Sequence, residues 1–145
     1  MDLLALLHEV VAAQQLQWQA RRLTIDIRGE PLIVKADRDK LATVLANLLS
    51  NAVRFSPEGG SVRFELSGDQ GCARIDCIDQ GAGVAPEDAE RIFEPFYQGV
   101  RQVAGARNGN GIGLSIVREY IAAHDGRVLL LPRPAGAHFR IELPL

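Results

Sequence analysis

Cys-Ile-Asp-Gln-Gly-Ala-Gly-Val at 77–84 and Gly-Asn-Gly-Ile-Gly-Leu at 109–114 are the stretches around which the chain is organised. In the first, an alternating apolar run ends on Asp79 and passes at once to Gly81 and Gly83. A carboxylate therefore stands where a strand stops and the backbone turns tightly. In the second, Gly109, Gly111 and Gly113 precede Leu114, Ile116, Val117, Tyr120 and Ile121 at helical spacing. This reads as a glycine-rich loop opening a helix from Gly111 to about His124, and bare amides at such a start attract phosphate.

Upstream, residues 61–67 and 72–78 alternate cleanly on either side of Gly68-Asp69-Gln70-Gly71, which predicts a β-hairpin. Before it, Asp37 caps a long helix running to about Arg54, ended by Ser56-Pro57 and Gly59-Gly60. Leu41, Val44, Leu45, Leu48, Leu49 and Ala52 form its apolar arc. Asn47, Asn51 and Arg54 fall beside that arc at i, i+4 and i+7 and share one stripe. Asparagine is a poor helix former, so the stripe is either a polar solvated face or a binding face. The first helix is expected over residues 2–20, with Leu3, Leu6, Leu7, Val10, Val11, Gln14 and Trp18 at helical spacing. Leu23, Ile25 and Ile27 then predict a strand, Gly29-Glu30-Pro31 a turn, and Leu32-Ile33-Val34 a returning strand.

Downstream, Pro86 to Arg91 has room for a short helix, and Phe93 to Tyr97 is aromatic. Gln98 to Asn110 has few apolar anchors and several glycines, so it is expected to be a mobile loop. Val128–Leu131 and Phe139–Leu143 read as closing strands.

The 145 residues suit one domain able to bury a core without staples. A net charge of -2, from 16 basic and 18 acidic residues, lacks the basic field that nucleic-acid binding needs, so no nucleic-acid partner is expected. Lys35 and Lys40 are the only lysines, so any phosphate site must lean on arginine, backbone amides or a metal. Cys72 and Cys77 lie an odd number of residues apart on one strand, on opposite faces, far in sequence from the three histidines. This argues against zinc and for free thiols in a reducing compartment. No window approaches the length of a membrane-spanning helix, although a parent chain could still be membrane-anchored.

A carboxylate buried beside a glycine turn needs donors, and the exocyclic amine of adenine offers them. The competing reading of Asp79 is a turn aspartate that bonds its own backbone. Glycine runs are equally unspecific alone: the Gly-x-x-x-x-Gly-Lys-Ser/Thr phosphate loop is absent, and no long strand-helix alternation supports a dinucleotide fold. The order of motifs is the stronger signal. Asn-Leu-Leu-Ser-Asn-Ala-Val-Arg-Phe-Ser-Pro (47–57), Asp-Gln-Gly-Ala-Gly (79–83), Phe-Glu-Pro-Phe (93–96) and Gly-Asn-Gly-Ile-Gly-Leu (109–114) follow one another. Together they resemble the catalytic ATP-binding domain of a sensor histidine kinase, in the superfamily that also holds gyrase, the MutL repair ATPases and a heat-shock chaperone. The resemblance covers essentially the whole chain.

That resemblance implies an α/β (α+β) two-layer sandwich, a mixed five-stranded sheet on about three helices, with a mobile ATP lid over about 98–110. It also implies ATP and Mg2+ as cofactors. Asn51 is similar to the family's magnesium ligand, Asn47 should lie near the phosphates, and Arg54 stands where lysine is commoner. Asp79 resembles the adenine-reading aspartate, with Gly81 and Gly83 letting the backbone approach the base. Phe93 and Phe96 resemble the aromatic box anchoring the lid, and core packing explains them equally well. Gly109, Gly111 and Gly113 resemble the phosphate-side glycines, Arg107 should reach the terminal phosphates, Leu114 should face the pocket, and Arg101 is a further lid candidate. Gly136-Ala137-His138-Phe139 lacks a hydroxyl common in the family. The phospho-acceptor motif is absent too: His8-Glu9 is followed by Val10-Val11. The acceptor is expected on a separate histidine-containing dimerisation domain, with a response regulator downstream, in the cytoplasmic part of a membrane-anchored parent. Two alternatives stand beside this protein histidine kinase. One is a gyrase-like conformational ATPase, whose family carries a glutamate base where Asn47 stands. The other is a nucleotide-sensing module without turnover.

Overall fold

The computed structural model describes residues 1–95 and 113–145. In chain order it contains α1 (Leu3–Ala13), α2 (Gln15–Ala20), β1 (Thr24–Arg28), α3 (Arg38–Phe55), β2 (Ser61–Asp69), β3 (Cys72–Asp79), α4 (Gly113–Ala123), β4 (Arg127–Leu131) and β5 (His138–Pro144). The five strands form one mixed sheet in the order β1-β2-β3-β5-β4. Only β1 and β2 run parallel, joined by the crossover through α3; every other pair is antiparallel.

The period-2 and period-3.6 patterns explain the two layers. Val62, Phe64 and Leu66 of β2, Ala73, Ile75 and Cys77 of β3, and Phe139, Ile141 and Leu143 of β5 all turn to one face and are buried. Against them lie Leu41, Val44, Leu45, Leu48, Leu49 and Ala52 of α3, with Leu114, Val117 and Ile121 of α4. Burying each large side chain stabilises the fold by about 1.5–3 kcal/mol. The opposite face of the sheet is charged. There Asp76, itself buried, accepts from Arg140 Nε at 2.8 Å and from His138 Nε2 at 2.7 Å.

Caps follow the sequence. Asp37 accepts from the Lys40 amide at the start of α3, and Ser56 ends that helix in an extended conformation. Between β2 and β3 Gln70 and Gly71 both take positive φ, 49° and 79°, as a two-residue hairpin turn requires.

Three expectations change. The helix expected over 2–20 is two helices, broken at Gln14 without glycine or proline. Trp18 Nε1 donates to the Val11 carbonyl at 2.9 Å, taking an acceptor that the continuous helix would use, while Gln14 Nε2 reaches the Ala46 carbonyl on α3 at 2.9 Å. The hairpin expected between 23–27 and 32–34 does not form, because β1 pairs in parallel with β2 instead. The returning stretch joins the N-terminus, with Leu3 N on Leu32 O at 2.9 Å, Val34 N on Met1 O at 3.0 Å, and an isolated bridge between Asp2 and Ile33. The short helix expected at 86–91 is a 3-10 turn over Pro86–Asp88.

Candidate functional site

The last turns of α3, the end of β3 and the first turn of α4 converge on a cleft of about 480 Å³, open solvent included. Asn51, Asp79, Gly83 and Leu114 all line it. Its walls are mostly apolar with a few convergent polar groups, as ligand sites require.

Asp79 is the cleft's buried carboxylate, 3% exposed. Its Oδ1 accepts from the Gly81 amide at 2.9 Å and from the Ala137 amide at 3.1 Å. Among the described residues Oδ2 has no hydrogen-bond partner. Burial raises the proton affinity of this carboxyl above the ordinary value, opposed by the two amide bonds and by the charge of Arg133. Two glycines make this geometry possible. A Cβ on Gly81 would lie 2.3 Å from the Phe55 carbonyl oxygen, and one on Gly136 would lie 2.0 Å from the Asp79 carbonyl oxygen. Gly81 is thus demanded by the end of α3, a closer constraint than approach to a ligand.

The stripe on α3 faces the same region. Arg54, half-buried, donates through Nη2 to Asn51 Oδ1 at 3.4 Å, a long and weak bond. Its guanidinium lies 5.4 Å from the Phe55 ring centroid, and burial lowers its proton affinity from the ordinary value. Asn47, one turn earlier, lies beside the start of α4: its Oδ1 is 3.7 Å from the point where a Cβ on Gly113 would stand. Phe93 stands behind the cleft, edge-on to Phe139 with centroids 6.0 Å apart, and Phe139 is the ring that lines it. The expectations for Phe96, Arg101, Arg107, Gly109, Gly111 and the lid over 98–110 lie outside the described residues.

Sequence reasoning missed several wall residues: Phe55, Asp88, Ile92 and Ala137. Asp88 is 1% exposed, although Pro-Glu-Asp reads as a surface turn, and no local pattern signals its burial. Ala137 contributes an amide rather than a side chain, so its identity carried no signal either.

A family model described as "Histidine kinase-, DNA gyrase B-, and HSP90-like ATPase" matches residues 36–145. The chain belongs to this family. Among curated proteins it is similar to the sensor-like histidine kinase SenX3 of Mycobacterium tuberculosis, 40% identical over 114 residues, 78% of this chain and 28% of that protein. It is also similar to the sensor histidine kinase GlrK of Escherichia coli K12, 36% identical over 144 residues, 99% and 30% of the two chains. The chain thus spans under a third of these relatives. Among solved structures the mycobacterial sensor histidine kinase MprB superposes with TM-score 0.91 and 25% identity over 99% of this chain and 96% of that one. ThkA, solved in complex with the response regulator protein TrrA, gives TM-score 0.83 and 26% identity over 99% and 40%. The fold is therefore that of the ATP-binding catalytic domain of sensor histidine kinases. No helix among the described residues is long and apolar enough to cross a membrane.

Proposed function

We propose that the chain binds magnesium-ATP and presents its γ-phosphate to a histidine on a separate helical hairpin, as the catalytic domain of a two-component sensor kinase. The observation that carries this reading is Asp79. It is a buried carboxylate fixed through one oxygen by two backbone amides, with its other oxygen unpartnered among the described residues in an apolar cleft. That oxygen suits the exocyclic amine of adenine, and Leu114, Val84 and Ile92 supply apolar walls for a base.

Asn51, Asn47 and Arg54 would hold the phosphate end, with Arg107, Gly109, Gly111 and Gly113 closing on it from the loop. Phe93 and Phe96 would support the wall and the lid. The Asn51 amide oxygen suits magnesium, which takes few protein ligands and keeps several waters. Among the described residues there is no cluster of carboxylate, imidazole or thiol groups to form an all-protein cage. When bound, the metal would neutralise charge on the phosphates. Arg54 Nη2, which stands 3.4 Å from Asn51 Oδ1, would have to turn towards phosphate.

Asn47 is an amide and cannot take a proton from water, and general-base help is worth about 10²–10⁴-fold. We therefore expect the chain to bind magnesium-ATP, hydrolyse it slowly and label none of its own histidines. His8 is exposed on α1. His124 is held between the Tyr120 carbonyl and the Asp37 amide, and His138 bonds Asp76. Adding a two-helix histidine hairpin should yield an acid-labile phosphohistidine that depends on magnesium and disappears in Asn51→Ala. Rapid phosphate release by the lone chain would sink this reading in favour of a conformational ATPase. The response regulator as downstream partner and a cytoplasmic position in a membrane-anchored parent belong to the same proposal. The first is supported by ThkA, solved with the response regulator protein TrrA.

A further inference from the structure

On the far side of Phe55 from the cleft, the chain leaving α3 bends through Ser56, Pro57, Glu58 and Gly59 towards β2. Arg21, the residue that ends α2, grips this bend at two points. Its Nη2 donates to the Ser56 carbonyl, and its own carbonyl accepts from the Gly59 amide at 3.0 Å. The grip has an energetic cost. Among the described residues Arg21 Nε and Ser56 Oγ are buried without a hydrogen-bond partner, and a buried donor left unmatched is destabilising. An apolar side chain would fill the same space without that loss. What the arginine supplies in return is a fixed position for one carbonyl.

That position matters because of what lies next to it. The preceding carbonyl, on Phe55, is the atom a Cβ on Gly81 would meet at 2.3 Å, and the Gly81 amide donates to Asp79 Oδ1 at 2.9 Å. Phe55 and Ala82 wall both the cleft and a recess on the Arg21 side. Three successive contacts therefore join the end of α2 to the carboxylate: Arg21 to Ser56, Phe55 to Gly81, Gly81 to Asp79.

We propose that Arg21 is a positioning residue of the nucleotide cleft: it sets the Phe55–Ser56 bend against Gly81 and thereby aims Asp79 at the base. This rests on the adenine reading of Asp79. Through it, any reorientation of α2 is felt as a change in base recognition.

The test is calorimetry with ADP and IDP, without magnesium, on the wild-type chain, Arg21→Ala and Arg21→Lys, with denaturant unfolding of each. IDP carries an oxygen where ADP carries the amine. The wild type should prefer ADP. Arg21→Ala should lose roughly threefold to tenfold in ADP affinity, the range expected when coupling is carried by packed contacts, with IDP little changed, so the preference shrinks. Arg21→Lys keeps one donor for the Ser56 carbonyl and should recover part of it. Reduced stability with an unchanged ADP-to-IDP ratio would make Arg21 a structural cap and overturn the inference. A wild type without preference would overturn the adenine reading and this inference with it. If Arg21→Ala does not fold, Arg21→Gln carries the same comparison.

Discussion

Ionised Asp79 comes at a cost to the fold. Its proton affinity is raised by burial, so the protonated form is favoured by folding. Its contribution to stability is complete below the ordinary carboxylate range and is lost as pH rises through its elevated value. Above that value the ionised carboxylate is a net burden, offset in part by the Gly81 and Ala137 amides and the charge of Arg133. Asp79→Asn keeps an oxygen for both amides while removing the charge. The nucleotide-free variant should therefore unfold at the same or higher denaturant concentration at pH 7. Its nucleotide affinity should fall by roughly tenfold to a hundredfold, the equivalent of about 1–3 kcal/mol for one buried hydrogen bond. Wild-type affinity should also decline on acidification through the raised titration of Asp79, and the asparagine variant should show no such decline. Unchanged calorimetric affinity in the variant would remove Asp79 from the base site.

At the scale of elements, α3 carries the site and depends on its cap. Asp37 accepts from the Lys40 amide, while its own amide donates to His124 Nε2 at 3.0 Å, tying the end of α4 to the start of α3. Asp37→Ala should lower stability by about 1 kcal/mol, read from a denaturation midpoint with unchanged slope. Both α3 and the β2–β3 hairpin were legible in the sequence because their signals are local: a capping aspartate, an apolar arc, clean alternation around a turn. The partner of β1 was not. Leu23, Ile25 and Ile27 announce a strand, but the turn at Gly29 points to the wrong neighbour, since pairing with Ser61–Glu65 is settled only when α3 packs. The break at Gln14 was hidden for a related reason: it arises from bonds made by the Trp18 and Gln14 side chains. In the site, Asp79 and the α3 stripe were visible as residue types out of place, whereas Asp88, Phe55 and the Ala137 amide acquire their positions only from tertiary packing.

For the whole molecule, the decisive fact is that one buried cluster joins α1, α3, α4 and the sheet. The family match begins at residue 36, yet Leu3, Leu6, Leu7, Val10 and Val11 of α1 are between 0% and 8% exposed within that cluster. At about 1.5–3 kcal/mol each, their loss approaches the 5–15 kcal/mol net stability of a typical domain. A chain starting at residue 23 should show no cooperative unfolding transition by circular dichroism. A sharp two-state transition in that variant would show α1 to be dispensable.

Among the described strands the one parallel pair, β1 with β2, also bears on how the molecule assembles. The β2–β3 hairpin closes across two turn residues and can form early, but β1 reaches β2 only after the entire α3 crossover has been laid down between them. Pairing across such a separation carries the larger loop-closure entropy and comes late in folding. The helix bearing Asn47, Asn51 and Arg54 is the body of that crossover, so its polar stripe gains a fixed place in the molecule only as β1 docks on β2.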